Sequence, residues 1–361
     1  MKGLAFLGKG QYGVVERERP KIELPSDAIV KMTKTTICGT HLPTPDGLDT
    51  DQSLGTDLHI IHGQITTVAE GRILGHEGVG VITEVGSAVK AFKPGDKVIV
   101  TGIIPCGTCH FCKRGTYGHC TTGGWVIGNS VDGTHGEYVR VPYADTGLNR
   151  VSEKVDDVGS VMIADVLPTA LECGVLSGKV QPGSTVAIVG AGPVGLGVVL
   201  TAHLYSPMRI IVIDMDENRL RLATQMGATH VVVSGPETVK AVMDITGGAG
   251  VDTVVEAVGL PAAFDMCQKI VGVGGTIANI GIHGSTIDLD MGRLWNKNIT
   301  ITTRLVDTVT IPQLIKLVEA GKIDARPLVT HTYKFADIVR AYSEFDAAAK
   351  NKVLKSIIEF D

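Results

Sequence analysis

Residues 185–205 read TVAIVGAGPVGLGVVLTAHLY. Five residues suited to a buried strand run straight into Gly190-Ala191-Gly192-Pro193-Val194-Gly195, and an apolar, helix-compatible stretch follows. A bare G-x-G-x-x-G means little. Between a strand and a helix it is a specific signature of a βαβ unit that binds a dinucleotide. Gly190 permits the tight turn, Gly192 lets the backbone approach a pyrophosphate, and Gly195 lets helix and strand pack closely. Pro193 is pre-set for the first helical turn, where its missing N–H costs little. The free N–H groups around Val194 and the helix dipole then hold the phosphates. The next strand, RIIVID, ends at Asp214. A carboxylate there accepts hydrogen bonds from a ribose 2′-hydroxyl and repels a 2′-phosphate, so NAD is favoured over NADP. Arg209 and Arg219 lie nearby and soften that preference. A structural glycine turn without ligand is the competing reading.

Around this unit, from about residue 166 to 305, apolar strands recur in VDTVVEAVG and GTIANIGI, most with a helix-compatible stretch behind them. Continuous apolar runs belong to strands covered on both faces, hence to a doubly wound parallel sheet. Residues 1 to about 165 differ. Short Val/Ile runs alternate with Gly and Pro, as in GRILGHEGVGVITEVGSAV and PGDKVIVTG, and no long helical period is visible. That is the pattern of a compact, barrel-like β domain. The tail, 306–361, carries the amphipathic segments IPQLIKLVEAGKI and FADIVRAYSEF and ends in the strand-like KVLKSIIEF. Two domains also suit a chain of 361 residues.

The sequence argues against several classes of partner. Its net charge is −5 with no long basic run, which argues against a nucleic-acid surface. No stretch reaches the roughly 18–20 apolar residues of a membrane span. The start, MKGLAFLGKGQYGVVERERP, suits a strand, a turn and a strand better than a signal peptide. The expected location is cytoplasmic, where thiols stay reduced. Seven cysteines then point to metal or catalysis rather than disulfides.

Four of them, Cys106, Cys109, Cys112 and Cys120, stand as C-x2-C-x2-C-x7-C. Four thiolates on one lobe close a tetrahedral shell with no open position, a structural zinc site. An iron–sulfur cluster is the rival reading. Cys38, the pair His76-Glu77 and Asp165 are far apart in sequence, and spacing alone does not bring them together.

Taken together, ICGT, GRILGHEGVGV, KPGDKV, the four-cysteine lobe, VGAGPVGL and LVTHTYKF resemble the zinc-dependent medium-chain alcohol dehydrogenases over nearly the whole chain. The likeness is nearest to bacterial-type enzymes acting on simple primary or secondary alcohols. It implies a GroES-like catalytic domain made of residues 1–165 and 306–361, with a Rossmann domain of residues 166–305 between them. It implies two zinc ions per chain, NAD, and a homotetramer or homodimer. By position, Cys38, His76 and Asp165 correspond to the catalytic zinc ligands, and Glu77 to a carboxylate that approaches the metal when water leaves. Thr40 corresponds to the inner hydroxyl of a proton relay and His59 to its outer end, near solvent. Asp214 and Arg219 fall at the adenosine ribose. Val258-Gly259 and Ile280-Gly281-Ile282 fall where backbone meets the nicotinamide half. The expected chemistry is reversible hydride transfer between an alcohol and NAD, with an aldehyde or ketone as product.

Two features depart from the family pattern. Residues 41–56, HLPTPDGLDTDQSLGT, separate Cys38 from His59 where relatives join the two turns directly. Their Pro, Gly and Asp content suits a compact surface excursion that leaves Thr40 and Asp57 nearly adjacent and the relay intact. A lid or subunit contact is the alternative, and a broken relay with His41 as substitute is a third. Arg304 stands where many relatives have glycine, as a solvated side chain or as a determinant of substrate choice or subunit contact. A polyol or amino-alcohol dehydrogenase is the alternative within the enzyme class, although the stretches near Thr40, Trp125 and Leu305 do not supply an obviously polar pocket. A non-catalytic nucleotide-binding relative would lack the Cys/His/Asp set.

Overall fold

Six strands, most of them with apolar cores, produce the sheet that dominates the second half of the chain. The computed structural model describes residues 1–39 and 56–361, the side chain of Ala349 excepted. Among these, residues 1–39, 56–168 and 306–361 form one compact unit and residues 169–305 a second.

The second unit is a six-stranded sheet in which every pairing is parallel. Across the sheet the strands run His230–Val233, Arg209–Asp214, Thr185–Val189, Val251–Glu256, Val271–Asn279 and Thr300–Thr303. In chain order that is 3-2-1-4-5-6, the doubly wound arrangement whose ligand crevice opens where the order reverses, beyond the carboxyl ends of strands 1 and 4. All five residues of Thr185–Val189 are buried, as a strand covered on both faces requires. Ala187, Ile211, Val254, Phe264 and Ile277 are part of one apolar cluster against the helices.

The first unit is built on a seven-stranded sheet centred on Ala28–Thr36. That strand pairs antiparallel with Gly78–Val85, with Tyr138–Val141 and with Lys355–Glu359. The last pairing sets Ile357 opposite Thr36, so the tail of the chain completes the sheet of its first third. The opening segment is the hairpin Lys2–Gly8 and Gln11–Glu16. The amphipathic tail segments form the helices Ile311–Glu319 and Ile338–Asp346, the second packing Ala341, Tyr342 and Phe345 against Leu4, Ile37 and Leu58.

The longest helix among the described residues of 1–165 escapes the sequence pattern. Asp157–Ala164 is a helix capped by the Asp156 carboxylate, inside a stretch where only β structure was expected. Gly159 to Ala164 are all buried, so the helix shows no polar face and no 3.6-residue alternation. No single helix among the described residues is long and apolar enough to cross a membrane.

Candidate active site and metal centres

Three separate elements of the first unit converge on one point. Cys38 follows the strand Ala28–Thr36. His76 and Glu77 immediately precede Gly78–Val85. Asp165 ends the helix Asp157–Ala164, with φ −148° and ψ −51°. One donor atom from each of Cys38, His76, Glu77 and Asp165 lies within 4.8 Å of the others. The approach to His76 depends on Gly75, which has φ +88° and would place a Cβ 2.4 Å from the His135 ring. His135 is itself fixed. Its Nε2 donates to the Thr36 carbonyl at 3.2 Å and its Nδ1 accepts from the Tyr342 hydroxyl at 3.0 Å.

Two charged residues to which the sequence assigned no role in the site support this cluster. Asp57 accepts the Cys38 N–H at 2.8 Å with one oxygen, and the other faces His76 Nδ1 at 3.6 Å. Burial opposes the charge of Asp57, but His76 outweighs it and holds the carboxyl at about 2. A carboxylate behind a ligating imidazole fixes which ring nitrogen is presented to a metal. Lys355 is buried, and its Nζ donates to both oxygens of Glu77, at 2.7 and 2.9 Å, with the Ile37 carbonyl at 3.3 Å. Burial pushes the Cys38 thiol and the Glu77 carboxyl up, the nearby cations pulling against it in both cases. A thiol, an imidazole and a carboxylate on one side, with a further carboxylate held back by an ammonium, is a donor set suited to zinc with a position left open. An alcohol oxygen is a ligand of the kind that position takes.

The four-cysteine lobe meets a stricter geometric test. All four sulfurs lie within 4.8 Å of one another, with Cys106–Cys112 and Cys109–Cys120 each 3.9 Å apart. Zinc–sulfur bonds of about 2.3 Å in a tetrahedron imply S···S separations of roughly 3.8 Å. Backbone N–H groups point at the sulfurs, from Cys106 to Cys120 at 3.2 Å and from Cys109 to Cys106 at 3.4 Å. Hydrogen bonds from Thr108 bring the Cys106 thiol to about 5, and those from Cys112 and Thr121 bring Cys109 to about 7. Burial and the neighbouring sulfurs push Cys112 up to about 12, so metal loading has to displace its proton. None of the seven cysteines is in a disulfide.

In the second unit, Gly190 has φ +100°, and a Cβ there would lie 2.8 Å from Val258 Cγ2. A Cβ on Gly195 would lie 1.9 Å from the Gly190 carbonyl oxygen. Gly192 caps the helix Pro193–Ala202 with Pro193 at its first turn, and no side chain occupies the cap. This is a cradle that only glycine leaves open, as a pyrophosphate requires. Asp214 ends its strand with one oxygen accepting Ala191 N–H at 2.6 Å and the other Asp216 N–H at 2.8 Å. Each oxygen keeps a second lone pair for a ribose hydroxyl. Arg219 is buried on the helix Glu217–Gln225, its Nε 3.9 Å from Asp216. The N–H groups of Val258 and Ile280 are already committed, both to Glu256, while Ile282 is half exposed.

His59 lies on the helix Thr56–Ile61 and is only 3% exposed, not at the surface, with its Nδ1 against Gln64 Oε1. Thr40, His41 and the rest of the 41–56 insertion up to Gly55 lie outside the described residues. The chain on either side of them is joined: Asp57 N–H donates to the Cys38 carbonyl at 3.3 Å, beside the 2.8 Å bond that runs the other way. Arg304 follows the edge strand Thr300–Thr303.

Residues 24–149 match the family model described as alcohol dehydrogenase GroES-like domain, and residues 193–320 the one described as zinc-binding dehydrogenase. An alcohol dehydrogenase of Cupriavidus necator is 32% identical over 383 residues, covering 99% of this chain and 98% of its own. An NADP-dependent isopropanol dehydrogenase of Thermoanaerobacter brockii is 34% identical over 352 residues, 95% of each chain. Among solved structures, the apo form of zinc dependent alcohol dehydrogenase 2 from Streptococcus pneumonia shares 46% identity, with TM-score 0.92 over 100% of this chain and 99% of that one. The first unit is thus a GroES-like domain and the second a Rossmann domain, and the chain belongs to the zinc-dependent medium-chain alcohol dehydrogenase family.

Proposed function

We propose that this chain oxidises a small primary or secondary alcohol with NAD, reversibly, at a zinc site formed by Cys38, His76 and Asp165. The observation that carries the reading is the meeting of those three donors with Glu77 within 4.8 Å, with Lys355 holding both Glu77 oxygens. A zinc ion bound there would supply a Lewis acid that lowers the pKa of an alcohol and polarises a carbonyl. The chain's own residues do the rest. Asp57 orients His76 and anchors the Cys38 backbone. Lys355 keeps Glu77 from closing the site. Thr40 and His59 carry the proton outward, with exposed Gln64 beside His59. Cys106, Cys109, Cys112 and Cys120 hold a second, structural zinc.

Gly190, Gly192, Pro193, Val194 and Gly195 receive the pyrophosphate, Asp214 and Arg219 the adenosine ribose, and Val258, Ile280 and Ile282 the nicotinamide half. NAD is favoured because the buried Asp214 carboxylate would repel a 2′-phosphate. Arg219, whose Nε lies 3.9 Å from Asp216, is the feature that supports NADP as the second reading. We further infer a cytoplasmic homo-oligomer, a tetramer or a dimer. Seven cysteines, none in a disulfide, suit a reducing compartment. The edge strand Thr300–Thr303 carries exposed Ile301, and Met291 and Trp295, shortly before it in the chain, are exposed as well.

The test is metal analysis and sedimentation of the purified chain, with turnover of an alcohol panel under both cofactors. Two zinc per chain, an assembly larger than a monomer and a kcat/KM at least tenfold higher with NAD are expected. One zinc per chain and no turnover would refute the catalytic reading, and a preference for NADP would refute the role of Asp214.

A further inference from the structure

At the reversal point of the Rossmann sheet, a single carboxylate holds two turns together. Glu256 ends the strand Val251–Glu256 and is fully buried. Its Oε1 accepts the N–H of Val258 at 3.0 Å and of Gly259 at 2.8 Å. Its own carbonyl accepts the N–H of Ile280 at 2.8 Å and of Gly281 at 3.1 Å. The two turns are pressed together so closely that a Cβ on Gly281 would lie 2.3 Å from Glu256 Oε2, and one on Gly259 would lie 2.3 Å from the Ile282 carbonyl oxygen. The same turn packs Val258 against Gly190 of the phosphate cradle.

The second oxygen of this carboxylate is the unusual one. Glu256 Oε2 is buried and has no hydrogen-bond partner among the described residues. The nearest basic group is His283 Nε2 at 3.4 Å, which lies closer to Asn279 Oδ1, at 2.8 Å. Asn279 in turn donates to the Gly281 carbonyl at 2.9 Å. No lysine or arginine forms an ion pair with Glu256 among the described residues. A buried anion with this little compensation projects its field into its surroundings. The buried Cys267 thiol, raised first by burial and then by Glu256, lies within reach of that field.

We propose that Glu256 is a positioning residue whose buried negative charge favours the oxidised, cationic nicotinamide ring over the reduced, neutral one. This rests on the reading that the turns at 258–259 and 280–282 receive the nicotinamide half. The two dinucleotide forms differ by one positive charge on that ring, so a fixed charge nearby changes their relative affinities, whereas a packing defect weakens both alike. The polar His283 imidazole, whose Nε2 lies 3.4 Å from Oε2 while donating to Asn279, damps the effect.

The experiment measures dissociation constants of NAD+ and NADH for the zinc-loaded enzyme, by NADH fluorescence and by displacement, in wild type, Glu256→Gln and His283→Leu. In Glu256→Gln the ratio of the NAD+ constant to the NADH constant should rise three- to tenfold, on the order expected for removing one charge at an intermediate effective dielectric. In His283→Leu it should move the opposite way. A Glu256→Gln ratio within about twofold of wild type, or equal weakening of both forms, overturns the proposal. If that variant does not fold, His283→Leu alone decides, and a ratio that is unchanged or raised counts against it. A wild-type enzyme that binds neither form overturns the underlying cofactor reading, and this proposal with it. Binding of both forms with no change in ratio overturns this proposal only.

Discussion

Lys355 shows how one side chain can hold a carboxylate beside the proposed zinc site without joining it. Its ammonium is buried, and both oxygens of Glu77 accept from it. Burial pushes the lysine down, and the attraction of Glu77 more than offsets this. Breaking a buried pair by removing one partner costs about 3–5 kcal/mol, because the other charge stays uncompensated. Lys355→Met is therefore expected to destabilise the enzyme by that amount, and Lys355→Met/Glu77→Gln to recover most of the loss. Urea denaturation of the four proteins in the cycle measures this, and a double variant as unstable as the single one would rule out the pair as the cause. Neither Lys355 nor Asp57 could be read from the sequence. Lys355 looks like any lysine at the start of a strand, and its partner lies 278 residues away. Asp57 looks like a helix-start aspartate, although a carboxylate ahead of the buried run Leu58–Ile61 was a signal that could have been used. Cys38, His76 and Asp165 were nameable only by resemblance, for the same reason: nothing local in any of the three says what it meets.

Elements fixed by neighbouring residues were far more legible. The turn at 190–195 needs only one strand, three glycines and one helix, all contiguous. Its tolerance is correspondingly narrow. Gly195→Ala would put a methyl carbon 1.9 Å from a backbone oxygen, and no flexible side chain can yield there. Overpacking of this kind costs about 1–3 kcal/mol. The expected result is a melting temperature lower by several degrees and dinucleotide affinity reduced at least tenfold, read by calorimetry and by NADH fluorescence. Gly235→Ala is the control. Nothing lies within 4 Å of its added carbon and its φ is not positive, so stability should hold or rise slightly. Loss of NADH affinity in both variants would mean that glycine content, not the cradle, is what matters. The four-cysteine lobe was legible for the same local reason. The helix Asp157–Ala164 was not, because burial on all sides removed its periodicity.

At the scale of the whole molecule, the arrangement least visible in the sequence is the closure of the first unit by its own tail. The pairing of Ile357 with Thr36 joins residues more than 300 positions apart, and no local pattern encodes it. The same closure bears on the 41–56 insertion. Cys38 and Asp57 are bonded to each other in both directions, at 2.8 and 3.3 Å, and Lys355 reaches the Ile37 carbonyl beside them. Cys38, Asp57 and the tail strand therefore hold together through bonds that do not involve the insertion. Loop-closure entropy varies only with the logarithm of length, so removing sixteen residues changes it by about 1–2 kcal/mol at most. Deletion of 41–56, joining Thr40 to Asp57, should give a folded enzyme that keeps two zinc per chain and a melting temperature within a few degrees of the full chain. Metal analysis and calorimetry check this directly. Alcohol turnover separates the remaining readings. A deletion variant with full metal and unchanged kcat/KM supports a surface excursion. Full metal with altered KM across the alcohol panel supports a lid. Loss of the Cys38 zinc with the four-cysteine zinc retained would mean that the insertion, and not the Cys38–Asp57 bonds, sets the geometry of the ligand turn.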